Sequence, residues 1–400
     1  MEWLVARRRL VLATGLIAAA VVIALLVSSN ARHAVALIVA IAVTIVGVTT
    51  LTISGFRQAH PVLSRATLTI VVLDAALFAT YFFSSITNFN LAIGAAMSIT
   101  LLGLSFLTGA SGQISLGNSA FMGVGALAVA IWANHHTSTP MAVTLLIAVA
   151  CGTLVGLLLG LPATRLRGPY LAGMTLAFAV AFTAIVNSFT SWTGGDAGLQ
   201  LPTAVTPPHW LTSFFNAQTS ILRVNTMWLA DITIVVTAVA FFFMANLFAS
   251  RTGRAMRLVR DNEVAAELVG VSLPRARVIA FMVSSAYAAL GGALWTLINN
   301  SVQPPTFSLA LSITILSLVV IGGIGTISGA LIGGVIYAYS NNVISWFTQH
   351  TGINPQSNLA SQLPGIVFGG LLIVTMLFAP MGIAGAAHRL RGRRRVHSPE

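Results

Sequence analysis

Lysine is absent from this 400-residue chain, and charged residues of all kinds make up only 7% of it. Without lysine there is no P-loop, whose lysine reaches the terminal phosphates of a nucleotide, and no lysine Schiff base. Any nucleotide hydrolysis linked to this protein therefore belongs to another chain. A single cysteine, Cys151, leaves neither an internal disulfide nor a cysteine-based metal site. The eight histidines, at 33, 60, 135, 136, 209, 350, 388 and 397, fall in loops or at the edges of apolar runs. None has metal-ligand spacing, and none lies where it would activate a buried serine. No catalytic residue, metal site or cofactor is expected, and the chain does not read as an enzyme.

What fills the chain instead is apolar: 56% of the residues are hydrophobic, in runs of about 18 or more that suffice to cross a bilayer. Backbone groups inside lipid must be satisfied within helices or a closed barrel. The runs are continuous and not alternating, which favours helices. Twelve candidate spans lie near 10–28, 34–54, 66–86, 89–108, 119–134, 141–161, 169–190, 228–249, 278–298, 307–325, 327–347 and 360–379. The first follows Arg7–Arg9 in the manner of a signal peptide. It is long, lacks a small-residue cleavage site and runs straight into a second apolar stretch, so an uncleaved span is expected. The fold class is all-α, a polytopic transmembrane bundle of about ten to twelve spans.

Arginine placement sets the orientation. With the N-terminus inside, 18 of the 20 arginines fall in inside loops or tails, and only Arg32 and Arg223 lie outside. Such a bias puts both termini in the cytoplasm. The net charge of +12 needs no nucleic acid, because arginines at membrane borders meet anionic lipid.

Asp74 is the only acid near the middle of a predicted span. An aspartate there costs about 3 kcal/mol, and each large apolar neighbour returns about 0.3 to 0.6 kcal/mol, so the span still inserts. The residue is either the coupling site of an ion-driven secondary transporter or a hydrogen-bonding group between helices. A lone acid without a charged neighbour favours the second.

The densest interior charge cluster is the loop 250–277, with six arginines and three acids. Asp261 is expected to cap a helix of about two turns, with Gly270 just past its end and Pro274 blocking continuation. Arg257 and Asp261 are spaced to pair if the helix extends backward. Val264, Leu268 and Val271 form an apolar stripe beside the small Ala265 and Ala266, which suits a docking surface. A solvated loop whose arginines merely set topology is the plainer alternative.

A second unusual stretch is 109–125, where Gly109, Gly112, Gly117, Gly123 and Gly125 interleave with Ser111, Gln113, Ser115, Asn118 and Ser119. It is too polar for lipid and carries no charge. Irregular backbone at membrane depth is tolerated where it is buried in protein or lines a cavity, so a translocation path fits. Close helix packing through small residues fits equally. The block GGIGTISGALIGG (322–334) echoes it faintly, in the manner of a repeat.

The loop 250–277 resembles the cytoplasmic "EAA" loop of ABC importer permeases, in the form found in branched-chain amino-acid permeases of the LivH/LivM family. Its surroundings, GRAMRLVRDNEVAAELVGVSLPRARVIAFMVSSAYAALGGALW, are similar to the LivM type. LTGASGQISLGNSAFMGVGA (107–126), LRGPYLAGMTLAFA (166–179) with TGGDAGLQLP (193–202), and FSLALSITILSLVVIGGIGTISGALIG (307–333) agree in order. The resemblance covers residues from about 66 to 380. Val264 stands at the glutamate of the EAA triplet, with Glu263 one place earlier, and Asn118 stands where many relatives have histidine.

The resemblance implies a permease domain over 61–385; outside it, residues 1–60 read as an N-terminal extension with two extra spans and 386–400 as a basic cytoplasmic tail. It implies a homologous second permease of the LivH type, two ABC ATPase subunits and an extracytoplasmic substrate-binding protein, in a bacterial or archaeal plasma (inner) membrane. The ATPases would be coupled through Arg257, Asp261, Glu263, Ala265, Ala266 and Gly270. The path would use Gly112, Gln113, Ser115, Gly117, Asn118 and Ser119. Asp196 and Arg223, in the long outer loop 191–227, would meet the binding protein. The implied cargo is leucine, isoleucine or valine; urea, short amides or another small polar solute remain open alternatives.

Overall fold

A computed structural model describes residues 65–66, 68–70, 72–73, 76–77, 80, 83–136, 139–166, 168–201, 221–351, 358–378 and 382–385. These are almost entirely helical. In chain order the principal helices are α1 Ser85–Ser111, α2 Asn118–His135, α3 Met141–Ala163, α4 Pro169–Ser188, α5 Ile221–Ala249, α6 Arg251–Asp261, α7 Glu263–Leu268, α8 Leu273–Asn299, α9 Leu309–Gly322, α10 Ile327–Thr351 and α11 Asn358–Phe378. Two short strands, β1 Leu199–Gln200 and β2 Ser301–Val302, pair antiparallel with Leu199 opposite Val302. Among the described residues, five segments are long and apolar enough to cross a membrane: Ser85–Ser111, Met141–Ala163, Pro169–Ser188, Asn225–Ala249 and Leu273–Asn299. The expected spans 10–28 and 34–54 lie outside the described residues, as does Asp74.

The chain divides into two compact units. One takes Met1–Phe89 and Thr206–Asn246. In it Arg65 donates to the Asn246 side chain at 3.1 Å, and Thr80 donates to the Asp231 carboxylate at 2.8 Å. Asn88 closes this cluster through the Thr80 carbonyl at 3.0 Å. Asp231 sits within an apolar segment, and its pairing with Thr80 meets the requirement that a polar group at such a depth find a partner. In the sequence Asp231 falls near the start of the expected span 228–249.

The second unit takes Asn90–Val205 and Leu247–Glu400. Helix α8 is its axis, packed against α2 and α3. Lipid supplies no hydrophobic drive between helices, so contact depends on close backbone approach through small residues. A Cβ at Gly125 would stand 2.0 Å from the Ala289 carbonyl oxygen, and one at Gly292 would stand 1.9 Å from that of Met122. Gly152 and Gly156 of α3 approach Ala289 and Ser285 in the same way. The C-terminal half of α1 is buried on all sides, with Leu101, Leu102, Leu104 and Phe106 fully enclosed. A helix buried all round belongs to the core rather than the lipid face. Its Gly109 meets Gly325, in the turn between α9 and α10, so the two glycine blocks noted in the sequence touch here.

Candidate functional site

Local chemistry builds the loop after α5 into two short helices. Ser250 caps α6 by accepting from the Gly253 amide at 3.2 Å. Gly253, Met256 and Val259, each three residues apart, face inward, leaving the arginines outside. Those arginines bond their own chain. Arg254 donates to the Ala249 carbonyl at 2.7 Å, and Arg257 donates to that of Phe248 at 2.9 Å. These are carbonyls at the C-terminus of α5, where orphan acceptors and the helix dipole both favour a cation. Arg260 does the same for α1, donating to the Gly109 carbonyl while pairing with Asp261 at 3.0 Å.

Two expectations change here. Asp261 is the last residue of α6, and the cap of α7 is Asn262, which accepts from the Ala265 amide at 3.0 Å. Arg257 does not reach back to Asp261, because Arg260 holds that carboxylate and Arg257 is engaged at α5. Gly270 is where it was expected: φ is +82°, the Val271 amide returns to Ala266 and the Gly270 amide to Glu267, both at 2.9 Å. That pair of bonds is the Schellman closure. Pro274 stands in the first turn of α8, where its missing N–H is harmless. Within α7, Ala266 is fully buried, Ala265 is half-buried, and Val264, Leu268 and Val269 are exposed, Leu268 at 83%. The face offered outward thus carries Val264 and Leu268, with Val269 just past the helix end and the exposed Glu267 beside them, and Ala266 serves internal packing.

Glu263 is bound to the rest of the unit by Arg277 of α8, whose guanidinium donates to its carboxylate and, at 3.1 Å, to the Thr164 carbonyl beyond the end of α3. Arg277 is 7% exposed. One buried cation thus fastens α7, α8 and α3.

The glycine-rich segment lies against this joint. Gly112 has φ +71°, and the Arg260 side chain crosses it so closely that a Cβ would stand 2.7 Å from the arginine Cγ. Both conformation and space require glycine there. The segment's backbone is satisfied by side chains: Thr175 of α4 accepts from the Leu116 amide at 2.9 Å, and Ser312 of α9 from that of Ser119 at 3.0 Å. The Ser119 and Ser312 hydroxyls also meet at 2.7 Å. Ser115 lies buried and bonds the Gly117 amide at 3.3 Å. Gly117 abuts the Thr175 carbonyl, Gly123 the Phe182 ring and Gly125 the Ala289 backbone, so these three glycines serve close packing. The side-chain amides of Gln113 and Asn118 are different. They are 6% and 0% exposed, yet neither has a hydrogen-bond partner. Between this segment, the first turn of α4 and the Glu263–Arg277 pair is an open cavity of about 300 Å³, bordered by Gly112, Gln113, Ile114, Leu171, Glu263 and Arg277.

Arg260, Arg277, Thr175 and Ser312 were not foreseen as site residues; Arg277 alone left a signal, as a cation at the very edge of a predicted span. Asp196 is exposed and accepts from Asn187 at 2.6 Å. The Arg223 side chain lies outside the described residues.

Residues 86–376 match the family described as "Branched-chain amino acid transport system / permease component". The chain belongs to that family. Among curated relatives, the high-affinity branched-chain amino acid transport system permease protein LivM of Escherichia coli is 29% identical over 296 residues, covering 70% of this chain and 66% of the relative. Its Salmonella typhimurium counterpart has the same identity and coverage. The LivH permease protein of E. coli is 27% identical over 219 residues, covering 53% of this chain and 64% of the relative. The chain thus spans just under two thirds of the length of its LivM relatives. No solved structure matches it.

Proposed function

We propose that this permease is the membrane-spanning subunit of an ATP-driven ABC importer for leucine, isoleucine and valine. In this reading it pairs with a homologous LivH-type permease and two ATPase subunits, and it takes substrate from an extracytoplasmic binding protein. It lies in a bacterial or archaeal plasma membrane with both termini inside. The observation that carries the reading is α7. A capped six-residue helix holds Val264, Leu268 and Val269 in solvent while Glu263 and Arg277 fasten its base to α8 and α3. An ATPase that closes on nucleotide would displace α7 and, through that ion pair, the ends of two long apolar helices. Membership of the family supplies the cargo class.

The test is uptake of radiolabelled leucine by cells that express the chain with its partner subunits. Leu268→Glu puts a charge on the docking face at a position too exposed to affect folding. Uptake is expected to fall at least tenfold at unchanged membrane abundance. Normal uptake by the variant would remove α7 from the coupling role. Lack of leucine uptake by the wild type, with transport of urea or a short amide, would move the cargo.

A further inference from the structure

Gln113 is built into the joint between α7 and α8 without being used by it. Its backbone amide returns to the Leu107 carbonyl at 3.3 Å, past the left-handed Gly112, so its main chain is fixed to the end of α1. The residue is 6% exposed, yet neither its side-chain nitrogen nor its side-chain oxygen has a partner. A buried amide in that condition destabilises the state in which it is found. The cavity that Gln113 borders also borders Glu263 and Arg277. The side chain therefore has room to change rotamer that a close-packed interior would deny it.

The Glu263–Arg277 pair is lopsided. The Glu263 side chain is 40% exposed and begins a six-residue helix, whereas that of Arg277 is 9% exposed and belongs to the 27-residue α8. When α7 is displaced, as its proposed coupling role requires, the carboxylate leaves into water and is hydrated there. The guanidinium stays behind in the protein, with the Thr164 carbonyl at 3.1 Å as its remaining acceptor among the described residues. One carbonyl does not satisfy five N–H donors. A buried cation stripped of its partner is what makes breaking such a pair costly.

We propose that Gln113 is a positioning residue for this movement: its side-chain amide oxygen takes the Arg277 guanidinium when Glu263 departs. The joint then has two hydrogen-bonded arrangements. At rest Glu263 holds Arg277 and the Gln113 amide is idle. With α7 displaced, Gln113 holds Arg277 and Glu263 is solvated. A neutral amide replaces the carboxylate's hydrogen bond but not its charge. The exchange therefore brings the displaced arrangement within reach and leaves the resting one favoured. It also ties α7 to the glycine-rich segment, because the residue that receives Arg277 follows Gly112 directly.

Thermal melts of the purified, assembled transporter test the exchange in a double-mutant cycle of Gln113→Leu and Glu263→Ala. Leucine is close to glutamine in size and removes both polar atoms. With Glu263 present, Gln113→Leu deletes an unsatisfied amide and should leave the melting temperature unchanged or raise it. With alanine at 263, Gln113 is the substitute partner of the guanidinium, and the same change should lower it. An equal shift in both backgrounds would overturn the proposal, because an amide that only packs does not sense Glu263. Transport by Gln113→Leu alone keeps the idea testable if Glu263→Ala fails to assemble. Maximal ATP-driven leucine uptake into proteoliposomes should fall about threefold or more, with the half-saturating ATP concentration unchanged and no loss of melting temperature. Uptake equal to wild type, or a fall matched by lost stability, would assign Gln113 to packing. The melts use neither leucine nor ATP. A wild type that imports no leucine would thus refute the importer reading and leave the melts to decide the exchange.

Discussion

Gly125 of α2 and Gly173 of α4 are the same residue type in similar apolar helices, and they should respond to alanine in opposite directions. At Gly125 the new Cβ would lie 2.0 Å from a backbone oxygen and 2.5 Å from its carbon, atoms that cannot rotate away. The two helices must separate, an overpacking strain of about 1 to 3 kcal/mol. At Gly173 nothing lies within 4 Å, and replacing glycine inside a helix gains about 0.5 to 1 kcal/mol. Thermal melts of the purified transporter should therefore show Gly125→Ala lowered and Gly173→Ala unchanged or raised. The same contrast sorts the glycines of 109–125. Sequence spacing left a packed interface and a path lining equally open, because both need small residues. The structure separates them: Gly109, Gly117, Gly123 and Gly125 meet backbone or rings, whereas Gly112 is required by its φ and by the arginine lying across it. The unpartnered Gln113 and Asn118 amides are the part of this stretch that packing leaves unexplained.

Among the elements, α7 depends most on its ends, because six residues are too few for helix propensity to sustain. Its Asn262 cap is worth about 1 kcal/mol. Asn262→Ala should speed amide hydrogen exchange across 263–269, with Asn262→Asp near wild type; unchanged exchange in the alanine variant would assign the helix's order to the Glu263–Arg277 pair instead. A short helix, a glycine stop and a proline restart were all legible, since each follows from local backbone preference. The cap was misplaced by one residue because Asp261 and Asn262 are both good caps. What decides between them is the burial of Met256 and Val259, which carries α6 through Asp261. The arginines were legible as a topology signal but not as partners of the α5 and α1 carbonyls, because no local rule tells a side chain which distant helix end it will meet. Ala266 looked like part of a contact face for a similar reason: periodicity gives a stripe without saying which side of it is covered.

For the whole molecule, orientation is the property that arginine counting reads and that geometry independently makes testable. Helix α4 has 20 residues, or about 30 Å at 1.5 Å per residue, the thickness of a hydrocarbon core. Its first turn shares the cavity with Glu263 and Arg277. Just past its far end, Asp196 is bonded to Asn187. With α4 spanning the bilayer, α7 and Asp196 are expected on opposite membrane faces, and the arginine count expects α7 on the inside. A chain with one cysteine suits the measurement. With Cys151 replaced by serine, Leu268→Cys and Asp196→Cys each supply one exposed thiol. A membrane-impermeant maleimide added to spheroplasts should modify the thiol at 196 and spare that at 268; lysis should expose the latter. Reversed labelling would invert the topology, and α7 would then face the side from which ATP is absent, ending the coupling role proposed for it. Labelling of both from outside would break the correspondence between the length of α4 and the bilayer, and with it the count of spans on which the orientation rests.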